Sequence, residues 1–405
     1  MSAFDQNLDW IEAQKAPMIA RLKAWVAINS GSRNFEGLKA MEKAAREAFA
    51  PLKADVEAIP VRAGEDVNGK GERVKTPFGP VLHFSKRPKA KRRVLLTGHL
   101  DTVFGKEHPF QGQKILDANT LNGPGAADMK GGILVMLTAL TALEQSKHAA
   151  NLGYDVLLSS DEEVGSIGSG PVLAKFAKRA QLGMTYEPSL PDGTLAGERK
   201  GSGNFTVIVR GVSAHAGREF EKGVNAVAAL GRLIVELHAL NGKKPGLTVN
   251  PAVIEGGRAV NVVPDLAILR FNVRIRDAGQ AAWFEAAFRN MIAKYKKREG
   301  LRIETFGLFS RPPKKLTPAN RKLFHVLKDC GRAIGVPVAW RPSGGVCEGN
   351  NLAAAGLPNI DTLGVCGGHI HTAREFVRLG SLTERAKLSA LLLLNFAAGN
   401  FDLET

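Results

Sequence analysis

The chain has 405 residues and a formal charge of +16, with 55 Lys and Arg against 39 Asp and Glu. That length exceeds one ordinary domain and predicts two. No stretch reads as a membrane span. The basic residues are spread out, with short clusters such as Lys86 to Arg93 and Lys294 to Arg298. Few aromatics lie among them, so the charge suits anionic small substrates better than specific nucleic-acid binding.

The start, Met1-Ser2-Ala3-Phe4-Asp5, has no basic region followed by an apolar core, so a cytoplasmic location is expected. Cys330, Cys347 and Cys366 fit no zinc-ribbon spacing, and a reducing compartment is the simplest reading.

Residues 5–50 read as two amphipathic helices, marked by Leu8, Ile11, Met18, Leu22 and Trp25, then by Leu38, Met41, Ala45 and Phe49. Strands are predicted at Ala54–Val61, Val81–Ser85 and Arg93–Thr97; the last is continuously apolar, as in a buried, mostly parallel sheet. It runs into Gly98-His99-Leu100-Asp101. Residues two apart in an extended segment share a face, so His99 and Asp101 can point together from a strand end, where α/β proteins place ligands. In isolation, a partly buried histidine beside a capping aspartate is the plainer reading of that pair. Asn122 to Gly132 is glycine-rich and turns into the helix Ile133–Leu143. Asp128 sits just before it and reads equally as an N-cap. The loop lacks the lysine and hydroxyl spacing of a nucleotide cradle. The apolar run Asp155–Leu158 leads into Asp161-Glu162-Glu163, three carboxylates that repel one another unless a cation sits among them. A helix at Gly168–Ala180 and then Tyr186-Glu187-Pro188 follow.

Near Ala196 the pattern changes. Strand Gly203–Arg210, helix Val224–Leu240, strands Thr248–Glu255 and Leu266–Ile275, helix Gln280–Lys297 and strand Leu301–Leu308 give the order of a ferredoxin-like unit. It reads as an insertion over residues 197–312, dividing a first domain of 1–196 and 313–405. Beyond Pro312-Pro313, strands are predicted at Val336–Trp340 and Ile360–Gly364, and a final apolar helix at Ser381–Ala398. The fold class expected is α/β: a mixed, mostly parallel sheet flanked by helices, with an inserted α+β unit.

His99, Asp101, Asp128, Glu162, Glu163, Glu187 and His371 thus stand at strand ends. A two-metal site gives nearly all of them a role. One carboxylate bridges, each cation takes a histidine and a further carboxylate, and one carboxylate remains as a base. Mixed nitrogen and oxygen donors suit Zn²⁺, with Co²⁺ or Mn²⁺ as substitutes.

Gly-His-Leu-Asp-Thr-Val at 98–103, Asp-Met-Lys-Gly-Gly at 128–132, Asp-Glu-Glu-Val-Gly-Ser at 161–166, Glu187-Pro188, Ser-Ala-His-Ala-Gly at 213–217 and His371-x-x-x-Glu375-Phe376 follow one another along the chain. In that order they resemble the two-zinc aminoacylase and glutamate-carboxypeptidase family of metallopeptidases, most of all its folate-hydrolysing carboxypeptidases. The resemblance implies His99 and Glu187 on one zinc, Glu163 and His371 on the other, and Asp128 bridging. Asp101 would hold the His99 ring, and Glu162 would be the general base. His369 is the rival to His371. His215 would reach the active site of a neighbouring subunit in a homodimer and steady the oxyanion. Asn261 and Arg274 resemble contacts to a substrate carboxylate, and Gly345 resembles pocket lining. Arg311 stands where glutamate-releasing relatives place a specificity arginine, and a solvated basic loop is its other reading. Cys347-Glu348 replaces the family's frequent Ser-Asp. The implied function is hydrolysis of an amide to release a C-terminal amino acid, glutamate first, from a small peptide or N-acyl amino acid with a free carboxylate. The alternatives are an N-acyl-amino-acid deacylase or dipeptidase and, from another class, a non-catalytic peptide-binding relative.

Overall fold

The computed structural model describes residues 4–297 and 300–403; Met1 to Ala3 of the start and Arg298 of one basic cluster lie outside them. Arg92–His99 is an interior strand of a six-stranded sheet. The spatial order is Asp55–Ile59, Val81–Lys86, Leu152–Ser159, Arg92–His99, Leu182–Thr185 and Asn359–Ile360. The last four run parallel, and Val81–Lys86 runs against both its neighbours. The fold is α/β, as the sequence pattern indicates.

Strand alternation builds two cores. Val94, Leu96, Tyr154, Val156 and Leu158 face one side, packed with the helices Lys15–Val26, Gly132–Glu144 and Gly380–Ala398. Leu95, Leu157 and Val81 face the other, against Leu173, Phe176 and Leu352. Successive side chains leave a strand on opposite faces. With both faces covered, these strands carry apolar residues on each side and read as continuous runs.

Residues 126–144 form, among the described residues, the one helical stretch long and apolar enough to cross a membrane, which corrects the reading that none exists; 94% of it is buried inside the fold. Its apolar surface is therefore covered by protein. The first predicted helix is two, Asp5–Ala13 and Lys15–Val26, joined at Gln14.

Gly201–Arg210, Ala226–His238, Thr248–Gly256, Leu266–Ile275, Ala278–Lys296 and Arg302–Arg311 follow in the expected order of strands and helices. Their four strands form one antiparallel sheet. Val207, Leu230, Leu269 and Phe284 give this unit a hydrophobic cluster of its own.

Three predicted strands differ. The Val336–Trp340 candidate begins only at Trp340 and runs to Ser343; Pro337 has no N–H to give a ladder. Ile360–Gly364 is a strand only over Asn359–Ile360, because Thr362 takes a left-handed φ of 63°. Leu301–Leu308 extends to Arg311, so Arg311 ends a strand rather than lying in a loop.

Candidate metal centre and cleft

Parallel register brings the carboxyl ends of three strands level. His99 lies opposite Ser159 and Thr97 opposite Thr185. The segments that follow, 99–101, 160–163 and 186–187, therefore emerge side by side. This is the edge at which open α/β sheets bind ligands.

Asp101 ties these segments together. Its Oδ2 accepts from Ser32 Oγ at 2.7 Å and from Glu163 N at 3.1 Å, and its Oδ1 accepts from Glu162 N at 3.2 Å. The His99 ring is fully covered, with Nδ1 2.9 Å from the Asp101 carbonyl and 3.5 Å from Asp101 Oδ1. On its other side, Nε2 lies 3.1 Å from Asp128 Oδ1 and 3.7 Å from Glu187 Oε1.

Asp128 faces two imidazoles. Its second oxygen, Oδ2, is 3.3 Å from His371 Nε2, which is also 3.3 Å from Glu163 Oε2. His369, two residues earlier, instead stands against the Phe376 ring. Asp161 shapes the turn, its Oδ2 accepting from Gly168 N at 2.7 Å and Ser169 N at 3.2 Å.

Five carboxylates meet here, Asp101, Asp128, Glu162, Glu163 and Glu187, and the charges of three of them show it. Burial pushes Glu187 up to about 7, with the charges of Asp128 and Glu162 adding to it. Burial and the Asp128 charge raise Glu163 well above the usual range. Burial also disfavours the Asp128 anion, yet hydrogen bonds to His371 and His99 hold it well below the ordinary value. The same bond to Asp128, then that to Glu163, lifts His371 to about 11. Burial opposes protonation of His99, but its hydrogen bonds to Asp101, Asp128 and Glu187 win. The cluster demands positive charge, which ring protons or metal cations can supply. His99, Asp128 and Glu163 offer one set of donor atoms within 4.8 Å of one another, and His99, Glu162 and Glu187 a second. Glu163 Oε1 is buried without a hydrogen-bond partner. The donor set and this orphaned oxygen both fit metal ions.

Beside the cluster opens a cleft of about 770 Å³, bordered by Glu162, Arg274, Arg311, Gly345 and His371. Arg311 is 5% exposed. Its Nη2 lies 2.7 Å from Glu162 Oε1 and donates to the Glu162 carbonyl at 2.7 Å and to Ser166 Oγ at 2.9 Å. The solvated-loop reading of Arg311 is therefore wrong: a buried guanidinium sits against the acidic turn. Arg274 donates from Nε to Asn272 Oδ1 at 2.8 Å, while its buried Nη1 has no partner. Burial and the neighbouring Arg311 charge lower its pKa.

His215 and Asn261 are not among the residues bordering this cleft. They lie together elsewhere: both are exposed, Ala216 N donates to the Asn261 carbonyl at 3.0 Å, and His215 pairs with Val262 on a short ladder.

The sequence gives no site role to four polar residues that the structure brings in. Glu375 served only as motif spacing, but it is buried and accepts three backbone N–H groups from the Asp128 loop. Asp361 is fully buried between Arg199, at 2.9 and 3.1 Å, and Lys314 Nζ, at 2.8 Å. A lone carboxylate inside an apolar strand candidate was the available signal, since a buried charge requires a partner. Arg199, oriented by Asp361, borders the cleft. Glu348 accepts from Ser159 Oγ and is wholly buried, which pushes its carboxyl well above the ordinary range.

An α/β sheet that gathers carboxylates and imidazoles at its carboxyl edge, beside a cleft with arginines on one side, fits an enzyme of the metallopeptidase class. The chain belongs to peptidase family M20/M25/M40, whose model matches residues 95–395. It is 28% identical over 320 residues to carboxypeptidase G2 of Pseudomonas sp. (strain RS-16), covering 76% of this chain and 75% of that one. It is 26% identical over 337 residues to a succinyl-diaminopimelate desuccinylase of Hahella chejuensis, covering 77% and 84%. The crystal structure of a tripeptidase from Staphylococcus aureus shares the fold with a TM-score of 0.74 at 22% identity, over 95% of this chain and 99% of that one.

Proposed function

We propose that the protein is a dinuclear zinc hydrolase that cleaves an amide and releases a C-terminal amino acid, glutamate first. The observation that carries this is Asp128, whose two carboxylate oxygens face His99 and His371 separately, at 3.1 and 3.3 Å. His99, Asp128 and Glu187 would hold one ion; Asp128, Glu163 and His371 would hold the other. Bound there, Zn²⁺ supplies Lewis acidity and lowers the pKa of water to about 7; Co²⁺ or Mn²⁺ can substitute.

The protein groups do the rest. Asp101 orients the His99 ring. Glu162 takes a proton from the attacking water and passes it to the leaving nitrogen. The unpartnered Arg274 Nη1 and the buried Arg311 give the cleft a cationic side for the substrate's free carboxylate, and Gly345 lines the same cleft. His215 and Asn261, together on an exposed ladder, would serve the cleft of a second subunit in a homodimer, His215 steadying the oxyanion. On this reading 197–312 is the dimerising lid, and 1–196 with 313–405 is the catalytic unit. A cytoplasmic setting suits the free, buried Cys330, Cys347 and Cys366.

Similarity to a desuccinylase favours N-acyl-amino-acid deacylation as the second reading. A hydrolysis screen of peptidyl and N-acyl amino acids, set beside elemental analysis, tests both. Two zinc ions per chain and preference for a glutamate leaving group are expected. Fastest turnover of N-acyl substrates with neutral or basic leaving groups selects the second reading, and full activity without metal sinks both.

A further inference from the structure

One buried carboxylate outside the ligand set holds the loop that carries Asp128. Glu375 is 1% exposed. Its Oε1 accepts from Ala127 N at 2.9 Å and Asp128 N at 3.1 Å, and its Oε2 accepts from Gly125 N at 3.1 Å. Its own carbonyl accepts from Asn122 Nδ2 at 2.6 Å and Gly123 N at 3.3 Å. Each of these five partners falls within residues 122–128. Gly125 takes a left-handed φ of 71°, and a Cβ there would lie 2.7 Å from Thr102 Cγ2. The loop is therefore pressed against its neighbours as well as hydrogen-bonded.

The backbone of Glu375 serves the segment that bears His371. It immediately precedes the strand Phe376–Arg378, which pairs on one side with Thr120–Asn122, the strand feeding the Asp128 loop. On the other side it pairs with Gly367–Gly368, the strand feeding the His371 turn. That turn closes through Thr372 N to the His369 carbonyl at 3.2 Å and Glu375 N to the Thr372 carbonyl at 3.0 Å. Through its main chain Glu375 ends the His371 turn, and through its side chain it grips the Asp128 loop.

We propose that Glu375 is a positioning residue that fixes Asp128 relative to His371 and thereby sets the affinity of the centre for its second cation. This rests on the dinuclear reading above. Groups that orient metal ligands without touching the metal change metal affinity by about 10–100-fold when removed. A glutamine at 375 keeps the shape and can still accept the Ala127 and Asp128 bonds, but it turns an NH₂ toward the Gly125 N–H. Alanine removes all three bonds.

The test is a Zn²⁺ titration of metal-stripped protein by calorimetry with a competing chelator, together with melting curves of the metal-free forms. Wild type is expected to bind two ions. Glu375→Gln should weaken the ion held with His371 by about 10-fold and Glu375→Ala by about 100-fold, and the ion held with His99, which shares Asp128, by less. A purely structural role would lower the metal-free melting temperature and leave zinc affinity unmoved, and that result overturns the inference. If the alanine variant does not fold, the glutamine variant alone decides. Wild-type protein that binds fewer than two ions overturns the dinuclear reading and this inference together.

Discussion

Glu162→Gln separates two effects that the structure joins at one carboxylate. As the proposed base, Glu162 should contribute the 10²–10⁴-fold typical of general acid–base catalysis, about 3–5 kcal/mol of barrier. It is also the anionic partner of Arg311, at 2.7 Å, with 7% and 6% of the two side chains exposed. Removing one partner of a buried ion pair costs about 3–5 kcal/mol, because the other charge is left uncompensated. Glutamine still offers a carbonyl to Arg311, and the Glu162 main-chain oxygen and Ser166 Oγ remain bonded to it. The stability loss should therefore fall at or below the low end, about 1–3 kcal/mol. Replacing Arg311 as well, in Glu162→Gln/Arg311→Met, removes the stranded cation and should recover most of that stability without recovering turnover. Steady-state kinetics at saturating zinc and denaturant melts of the three proteins measure both effects. Glu162→Gln turnover within ten-fold of wild type refutes the role as base. A double variant no more stable than the single one refutes the buried-charge argument.

Exhaustive chelation should abolish turnover and lower the melting temperature, and Zn²⁺ or Co²⁺ should restore both, since a ligand of the native state alone stabilises it; melting curves with and without chelator check this. His215→Ala should cripple turnover while metal content stays unchanged. Mixing it with Glu162→Gln should restore part of the activity if the cleft is shared between subunits, and no recovery on mixing argues against sharing. Burial disfavours the Asp361 anion, but the charges of Arg199 and then Lys314 hold its pKa below the ordinary value. A group depressed in this way contributes stability above its unfolded pKa of about 3.9 and loses it as pH falls through the lower folded value. Wild-type stability should thus decline in acid from about pH 4 downward, and Asp361→Asn, already lacking the charge, should show a shallower decline in pH-dependent melts.

Much of the fold was legible because local pattern encodes it. Val94-Leu95-Leu96 and Val156-Leu157-Leu158 declare strands covered on both faces, and alternation with helices declares a parallel sheet. Leu266–Ile275 was read to the residue, since a ten-residue strand bounded by turns is a local signal. Val336–Trp340 is apolar in sequence, but Pro337 has no N–H to give a ladder and only Val338 of the run is buried.

The site divides in the same way. The sequence by itself determined which residue types could do metal and proton chemistry, and that they stand at strand ends, because side-chain identity and strand termination are local properties. His99, Glu162, Glu163 and Glu187 fit those grounds; Asp128, grouped with them in the sequence, lies instead in the turn Ala126–Gly131 that leads into a helix. The spacing to Glu375-Phe376 favours His371 over His369 in the sequence; only the tertiary structure shows it meeting Asp128, and shows Arg311 buried against Glu162. It also decided that Glu375 and Asp361 hold the frame. Each of these depends on the register between segments that are tens to hundreds of residues apart in the chain, such as Glu375 against Gly125 to Asp128. No periodicity within a segment records how far it has slid or turned against a distant one; packing and hydrogen bonding set that distance.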